Sequence, residues 1–356
     1  MKVPVFSSTI RRKEMDAVLS CMVSEKIGPG EINARLIQCV KETFGVDGCV
    51  AVRSPAIALK YAIKCLGLPE GSAVMVSALA PSWQLSVIED LGYKCIILDV
   101  AEETALVSVE TVEKGMKDGG SLLILHETLG NLPDFEKIAA LGIPFIEDIS
   151  QSAGAYIEQT AEKPVDEGGE AEKKFAGNYG VYTILGLEEK DILTAGGGAV
   201  LMAPNRREWI VLKKNIEEAP FIDLLPDINS ALAWVQLKER PRNEQLRNEM
   251  RDVYSRSLMQ GRHKSFICKC ENAVPAVYSF PVLLNNGAKD VKQYASRKEI
   301  DVADAFEDSV ASKYAELAES CHVARSLALR CILFPLYPRL GNLQTAKISK
   351  VLATLP

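Results

Sequence analysis

Over residues 48–150 the sequence alternates repeatedly between short apolar segments and segments of helix length. CVAVRS, AVMVSA, KCIILDV, SLLILHET and PFIEDIS each predict a strand rich in β-branched or large apolar residues. PAIALKYAIKCLG and PSWQLSVIEDLG between them predict helices, and Pro55 stands at a first helical position, where its missing N–H costs nothing. Strands this apolar, separated by helices of about ten residues, are typical of a parallel sheet covered on both faces. The sequence therefore predicts an α/β fold with a mostly parallel sheet.

The pattern changes beyond this region. Residues 156–174 are charged and lack a hydrophobic period, which predicts an exposed loop. GVYTIL and GGGAVLMA predict two further strands, and INSALAWVQLKERPRNEQLRNEMRDVYSRSL predicts helix. The remainder combines a strand in AVYSFPVLL, a helix in EDSVASKYAELAES and the apolar segment LRCILFPLYPRL. We therefore expect a large α/β domain over residues 1–237 and a smaller α+β domain over residues 238–356.

Composition argues against several kinds of partner. The net charge of −6 offers no attraction to nucleic acid or to an anionic membrane. No apolar run reaches the roughly 18 residues that span a bilayer, and MKVPVFSSTIRRKEM lacks the apolar core of a secretory signal. The nine cysteines, mostly in apolar segments, predict reduced thiols and a cytoplasmic protein. We expect no metal site, because Cys268 and Cys270 form an isolated C-x-C beside three dispersed histidines.

Three segments that follow predicted strands carry side chains suited to chemistry, since ligands of open α/β sheets gather at the carboxyl ends of the strands. VRSPA runs into a helix N-terminus, which suits a phosphate. In IEDISQSAGA, Asp148 ends a buried strand and Gln151 follows three residues later. In LEEKDILTAGGGAV, Lys190 lies between two predicted strands.

A carboxylate, an amide and a lysine on neighbouring strand ends suit pyridoxal phosphate. The lysine would form a Schiff base, and the carboxylate would pair with the pyridinium nitrogen and keep it charged. Each residue also has an ordinary alternative: Lys190 as a solvated charge, Asp148 as a helix cap or turn residue and Gln151 as a surface amide. The local pattern leaves these alternatives open.

Taken together, these segments resemble the DegT–StrS family of sugar aminotransferases, which are pyridoxal-phosphate enzymes of the aspartate aminotransferase fold. The likeness covers nearly the whole chain, and GNLPDFEKIAALGIPFIEDISQSAGA is its most specific part. VPVFSSTIRRKEMDAVLSCM, LTAGGGAVLMA, INSALAWVQLKE and ILFPLYPRL resemble further family segments. The resemblance implies a homodimer with shared active sites. It also implies that Lys190 is the Schiff-base lysine, Asp148 the partner of the pyridine nitrogen and Gln151 the glutamine at the ring.

Several positions depart from the family pattern. The phosphate-binding turn, usually Ser-Ser-Gly-Thr, reads RSPA here, so Pro55 offers no N–H and Ala56 no hydroxyl. Thr183 takes the place of the usual serine, and Trp83 lies two residues beyond Pro81, which aligns with the ring-stacking aromatic position. The resemblance thus implies Lys190 as the catalytic residue and, as cofactor-binding residues, Ser54, Ala56, Trp83, Asp148, Gln151 and Thr183.

Two departures concern the lysine loop and the partner subunit. Counted from GNYG, the family's lysine falls on Glu188, whereas counted back from GGGAV it falls on Lys190, so the resemblance implies a two-residue insertion. Ile222 and Leu224 stand near the positions from which a neighbouring subunit normally sends an asparagine and an arginine into the site.

These observations leave two functions open. The first is a transaminase that moves an amino group from an amino acid such as glutamate to a keto-sugar nucleotide, and the retained Lys190 and Asp148 favour it. The second is a degenerate relative that keeps the scaffold and the dimer but binds a metabolite or partner without turnover, and the altered phosphate turn favours it. A Rossmann-type nucleotide binder has little support, because VRSPAIAL has no glycine fingerprint.

Overall fold

The computed structural model of the protein describes residues 2–159 and 172–356. The helices in these residues are α1 (Arg12–Val23), α2 (Glu31–Phe44), α3 (Pro55–Leu66), α4 (Trp83–Asp90), α5 (Val109–Lys117), α6 (Phe135–Ala140), α7 (Arg206–Glu217), α8 (Asp227–Lys238), α9 (Arg240–Leu258), α10 (Lys289–Arg297), α11 (Val310–Lys313), α12 (His322–Arg330) and α13 (Asn342–Leu352). The strands are β1 (Gly48–Val52), β2 (Ala73–Ser77), β3 (Lys94–Leu98), β4 (Gly120–His126), β5 (Phe145–Asp148), β6 (Tyr156–Glu158), β7 (Lys173–Phe175), β8 (Tyr182–Gly186), β9 (Ala199–Ala203), β10 (Ala273–Val274), β11 (Phe280–Leu283), β12 (Ala303–Asp304) and β13 (Cys331–Phe334). Among the helices so described, none has the length and apolar character needed to cross a membrane.

A seven-stranded sheet forms the centre of the fold, with the strand order β1-β9-β8-β5-β4-β2-β3. β9 is antiparallel to both β1 and β8, and the other neighbouring pairs are parallel. Six of the seven strands therefore run in one direction and end at one edge of the sheet. This confirms the predicted α/β class. Helices on both faces explain why the strands are almost continuously apolar.

Alternate residues of these strands enter two separate cores, one on each face of the sheet. On the first face, which we call the α3 face, residues of β1, β2, β4, β5, β8 and β9 pack against α3, α4 and α7: they include Val52, Val76, Ile124, Ile146 and Ile184, with Leu59, Ile88 and Leu212 from the helices. On the second face, the α2 face, the other residues of the strands pack against α2, α5 and α6: they include Ala51, Met75, Leu125, Leu185 and Met202, with Val40, Val112 and Ile138 from the helices.

Three glycines close the hairpin between β8 and β9. Gly196, Gly197 and Gly198 have φ angles of 70°, 140° and 120°, which side chains of L residues rarely adopt. The Leu187 N–H donates to the Gly198 carbonyl at 2.9 Å, and the Gly197 N–H donates to the Leu187 carbonyl at 3.1 Å. The hairpin thus continues past its strands and holds residues 188–195 at the carboxyl edge of the sheet.

A small antiparallel sheet corrects the loop predicted over residues 156–174. β6 pairs with β7, and β10 joins β6 on its other side. Tyr156 and Phe175 pack edge to face with ring centroids 5.9 Å apart, and the Lys173 Nζ lies 5.0 Å from the centre of the Tyr156 ring. The loop prediction is therefore wrong at both ends, because aromatic side chains there pair across strands. Residues 160–171 lie outside the described part of the chain.

The C-terminal region contains a third antiparallel sheet in the order β11-β13-β12. Its core includes residues of α9, α10 and α13, among them Tyr254, Val291 and Ile348. Strands and helices are mixed here as predicted. The proposed boundary at residues 237/238 falls where α8 gives way to α9, and the division into two domains stays a prediction.

The helix predicted over residues 307–320 is wrong for most of its length, because only Val310–Lys313 are helical. The N–H groups of Val310 and Ala311 donate to the carbonyls of Ala80 and Ala78, at 3.0 and 2.8 Å. In a helix that began several residues earlier, these two N–H groups would donate to carbonyls of the helix itself. Here they bond to a distant segment instead, so tertiary pairing overrides the local helix propensity.

Candidate active site

The segments singled out by sequence lie at one edge of the central sheet. Ser54 follows β1, Trp83 follows β2, Asp148 ends β5 and Lys190 follows β8, and these four strands all point the same way. Asp148 is two residues from Ile146 in the same strand and therefore points to the α3 face, where α3 and α4 begin. The carboxyl edge on the α3 face is therefore the candidate site.

Asp148 is fully buried and fixed by a network of donors. Its Oδ2 accepts from Gln84 Nε2 at 2.7 Å and lies 2.9 Å from His126 Nδ1. Its Oδ1 accepts from the Ser150 backbone N–H at 3.1 Å and from the Ser150 hydroxyl at 2.5 Å. Gln84 and His126 are also buried, so the carboxylate sits in a dry, preorganised environment.

This network keeps Asp148 charged. Burial by itself raises the pKa of the carboxyl, but the attraction and hydrogen bond of His126 and the two bonds from Ser150 outweigh it, so the pKa is lowered. Because an ionised carboxylate only accepts hydrogen bonds, His126 must carry its hydrogen on Nδ1. At neutral pH a negative charge therefore lies at the carboxyl end of β5.

Ser150 connects this charge to the Lys190 loop. Its hydroxyl also accepts from the Gly186 N–H at 3.1 Å, and its carbonyl accepts from the Ile192 N–H at 3.2 Å. A Cβ at Gly186 would lie 2.5 Å from the Ser150 Oγ and 2.3 Å from the Asp191 Oδ2, so glycine is required at this close approach.

Asp191, next to Lys190, turns inward toward Asp148. It is half-buried, and its Oδ2 accepts from the Glu188 N–H at 2.8 Å. Burial, with a smaller contribution from the charge of Asp148, raises the pKa of Asp191 to about 8. At neutral pH the carboxyl of Asp191 therefore carries a proton, in contrast with that of Asp148.

Replacing Asp191 should change how stability depends on pH. Since the pKa is raised from 3.8 to about 8, the folded chain holds a proton that the unfolded chain releases, and the free energy of unfolding falls as pH rises between these values. Asp191→Asn removes this fall in the free energy of unfolding, because the amide does not titrate. The variant should gain about 1–3 kcal/mol over wild type at pH 8 and little at pH 4, less than the full shift implies because the side chain is partly accessible. Denaturant unfolding at both pH values measures it, with exposed Asp118→Asn as control; an equal difference at both pH values would contradict this assignment.

Lys190 faces outward in this structure. Its Nζ lies 2.9 Å from Glu307 Oε1, both side chains are 49% exposed, and the Phe6 ring centre is 5.7 Å away. The hydrogen bond that Lys190 donates to Glu307, together with the negative charge of Glu307, raises the pKa of Lys190 despite partial burial. The position of Lys190 at the sheet edge agrees with the expected role as Schiff-base lysine, whereas its side chain points outward as a solvated charge does. The catalytic role of Lys190 stays a prediction.

The predicted phosphate end is a helix N-terminus. Ser54 is the N-cap of α3 and its hydroxyl accepts from the Ile57 N–H at 3.2 Å. Pro55 follows as the first helical residue and has no N–H. The N–H of Ala56, in the first turn, has no partner within the helix, so it is a backbone donor available to a ligand.

The remaining predicted residues divide between the two faces. Trp83 begins α4 and packs partly buried on the α3 face. Gln151 Oε1 accepts from the Leu129 N–H at 2.7 Å, which fixes its amide against the backbone. Thr183 pairs in register with Glu147, on the α2 face, and its hydroxyl donates to the Gly177 carbonyl at 2.9 Å. The structure therefore does not bring Thr183 together with Asp148.

Comparison with known proteins decides the family. Residues 8–211 and 223–355 match the model of the DegT/DnrJ/EryC1/StrS aminotransferase family. The chain belongs to this family. The resemblance stated from the sequence is thereby confirmed, and with it the aminotransferase class.

Individual relatives of the family cover almost the full chain. GDP-perosamine synthase of Escherichia coli O157:H7 is 23% identical over 377 aligned positions, which are 97% of this chain and 96% of the relative. A candidate sugar aminotransferase from Streptococcus pneumoniae, solved in its PMP form, has a TM-score of 0.86 at 15% identity over 99% of this chain and 97% of that one. The aminotransferase TlmJ from Streptoalloteichus hindustanus has a TM-score of 0.84 at 17% identity, over 99% and 98%. These structures confirm the expected fold.

Five residues of this edge were not singled out from the sequence: Gln84, His126, Ser150, Asp191 and Glu307. His126 carried a usable signal, because it ends an apolar strand as Asp148 does. Ser150 and Asp191 directly neighbour predicted residues. Gln84 and Glu307 had no such signal, since each reaches the site only through tertiary packing.

Proposed function

We propose that this protein is a pyridoxal-phosphate-dependent aminotransferase that passes an amino group from an amino acid such as glutamate to a keto-sugar nucleotide. The observation that carries the proposal is the buried, charged Asp148 held by His126 and Ser150 at the carboxyl edge of the sheet. Family membership supports the reaction class. A GDP-perosamine synthase among the relatives, and a structural neighbour solved in PLP and PMP forms, support the substrate class and the cofactor.

Asp148, His126 and Ser150 fit the ring end of the cofactor. When bound, pyridoxal phosphate supplies an electron sink whose strength depends on a protonated ring nitrogen. The charge of Asp148, kept by the His126 and Ser150 bonds, favours such a proton. Because the site is dry and the network already formed, this charge is effective without reorganisation.

The residues offer fewer donors at the phosphate end. The N-terminus of α3 provides partial positive charge and the Ala56 N–H. Pro55 provides no donor, and the hydroxyl of Thr183 is used on the opposite face. We infer that α3 holds the phosphate mainly through its backbone and that affinity for the cofactor is modest.

Lys190 is the residue that would bind the aldehyde carbon and later move protons at its Nζ. It must first leave Glu307, since a protonated amine in an ion pair is not a nucleophile. An exposed pair of this kind contributes only about 0–1 kcal/mol, so the contact can break readily. The conformation of the loop around Lys190 then determines how closely its Nζ can approach the aldehyde. The Gly196–Gly198 turn fixes the end of that loop.

Titration of the purified protein with pyridoxal phosphate tests this proposal. A saturable change in visible absorption, at about one cofactor per chain, is the expected result. A linear, unsaturated response at concentrations far above those typical of cofactor sites would contradict the proposal.

Restoring the phosphate turn should strengthen cofactor binding. Pro55→Gly combined with Ala56→Thr adds one N–H and one hydroxyl at the start of α3. Each hydrogen bond to a charged phosphate contributes about 1.5–3 kcal/mol, so the dissociation constant should fall by at least about tenfold. Equilibrium binding measures it, with exposed Pro69→Gly as a control. Unchanged affinity would mean that the phosphate lies elsewhere.

We also propose that the protein acts as a cytoplasmic homodimer. Four apolar side chains on one side of α1 are more than half exposed: Met15, Leu19, Met22 and Val23. Such an exposed apolar stripe is typical of a subunit interface. The cytoplasmic location is supported by the nine cysteines, all of which are unpaired, as in a reducing compartment. Light scattering should give twice the chain mass for wild type and the mass of one chain for Leu19→Glu. A monomeric wild type would contradict the dimer. Cell fractionation tests the cytoplasmic location.

A further inference from the structure

Two glutamates are buried on the α2 face of the central sheet: Glu127, which follows β4, and Glu147 in β5. Leu125 pairs in register with Glu147 and packs into the core of the α2 face. Glu127 is two residues beyond Leu125 and so lies on the same face, while His126 between them faces Asp148 on the other. Glu127 is within hydrogen-bonding reach of Glu147. The core therefore holds two neighbouring carboxyl groups.

Glu147 is well supported as an anion. Its Oε1 accepts from the backbone N–H groups of Tyr179, at 2.7 Å, and of Gly180, and its Oε2 accepts from the Gly177 N–H at 2.6 Å. Burial raises the pKa of the Glu147 carboxyl, and these three bonds oppose the rise. A carboxylate offers about four lone-pair sites, so one site, on Oε2, is left for a further donor.

Glu127 has less support. Its Oε2 accepts from the Ser152 hydroxyl, whereas its Oε1 is buried and receives no donor from the described residues. Burial, and after it the charge of Glu147, raises the pKa of the Glu127 carboxyl well above its ordinary value of 4.5. The other titratable groups nearby, Asp148 and Tyr179, add no positive charge. An ionised Glu127 would thus be a buried charge with a single donor, which is costly.

From this arrangement we infer that Glu127 and Glu147 share one proton and form a pH-sensitive switch that holds the turn at residues 177–180. While the proton is present, Glu127 donates from Oε1 to the free site on Glu147 Oε2, and every oxygen of both carboxyls is paired. Loss of the proton leaves two negative charges in contact in the dry core, and their repulsion loosens the turn. The switch joins the end of β4 to the turn before β8, and it does not depend on the proposed function.

The pH dependence of stability tests the shared proton. The folded chain keeps a proton that an unfolded glutamate releases above its ordinary pKa of 4.5, so the free energy of unfolding of wild type falls as pH rises from that value to the raised pKa of Glu127. Glu127→Gln retains a donor for Glu147 and an acceptor for Ser152 but does not titrate. The unfolding equilibrium constant of wild type, relative to that of Glu127→Gln, should therefore increase at least about tenfold between pH 5 and pH 7. A ratio that stays constant, as expected when the exposed control Glu113→Gln replaces Glu127→Gln, would overturn the inference.

Amide hydrogen exchange tests the effect on the turn. At pH 8 the amides of Gly177, Tyr179 and Gly180 should exchange at least about fivefold faster in wild type than in Glu127→Gln, and at pH 5 equally fast in both. Equal rates at pH 8 would show that the turn does not respond to the proton, and would overturn the switch.

Infrared absorption locates the proton without a stability measurement. Asp191 also carries a proton at neutral pH, so Asp191→Asn is the background in which the carbonyl band of the remaining protonated carboxyl is sought at pH 7. The band should be present in Asp191→Asn and absent when Glu127→Gln is added. An Asp191→Asn protein without the band, or a band that survives Glu127→Gln, would overturn the shared proton.

Discussion

Lys190→Arg should abolish covalent attachment of pyridoxal phosphate and reduce amino-group transfer by about a hundred- to ten-thousandfold. Arginine keeps the positive charge and the ion pair with Glu307, but its guanidinium stays protonated and cannot attack an aldehyde. The folded state should therefore be unaffected while the chemistry is lost. Borohydride fixation followed by peptide mass spectrometry locates the cofactor, and turnover is measured in parallel.

Two comparisons make this experiment specific. Glu307→Gln frees the amine from its partner, so fixation at Lys190 should persist and become up to about fivefold faster at neutral pH. Lys174→Ala, in β7, should behave as wild type. Fixation of cofactor on another lysine in Lys190→Arg would show that the amine has been misassigned, and that Lys190 is a solvated charge.

Asp148→Asn should have the second large effect, on stability as well as on activity. The amide offers one acceptor oxygen instead of two and brings an NH₂ against donors from His126, Gln84 and Ser150. Disrupting a buried charged network of this kind costs about 3–5 kcal/mol of unfolding free energy. Loss of the charge beside the ring should lower turnover by about a hundred- to a thousandfold.

The pH dependence separates these contributions. Since the pKa of Asp148 is lowered in the folded state, its stabilisation is present above the ordinary value of 3.8 and is lost as pH falls through the folded pKa. The difference between wild type and Asp148→Asn should therefore be largest near neutral pH and shrink in acid. Denaturant unfolding from pH 7 to pH 3, with exposed Asp90→Asn as control, measures it. A difference of under about 0.5 kcal/mol at pH 7 would contradict the network described for Asp148.

The sequence predicted the strands of the central sheet and the edge at which the site lies. Continuous apolar strands separated by helices admit few other arrangements. Asp148 was accessible to this reasoning because it directly ends such a strand. The partners of Asp148 were not, since His126 is 22 residues and Gln84 is 64 residues away, and each contact depends on strand order and helix packing.

Side-chain direction was the other quantity that the sequence could not supply. The sequence predicted the position of Lys190 after β8, but its contact with Glu307 spans 117 residues and depends on the C-terminal region. Thr183 illustrates the same point within a strand, because the register with Glu147 puts its side chain on the α2 face. The segment around Val310 failed for a related reason, as its N–H groups pair with the loop after β2.

The half-reaction of the wild-type protein loaded with pyridoxal phosphate shows whether the chain is an aminotransferase. With glutamate as donor and no acceptor added, only the bound cofactor can take up the amino group. We expect about one equivalent of 2-oxoglutarate per chain in a single turnover of wild type and none in Lys190→Arg. Protein that is folded and saturated with pyridoxal phosphate, yet releases no oxo acid from any of the common amino acids, would contradict it and identify the chain as a binding protein without turnover.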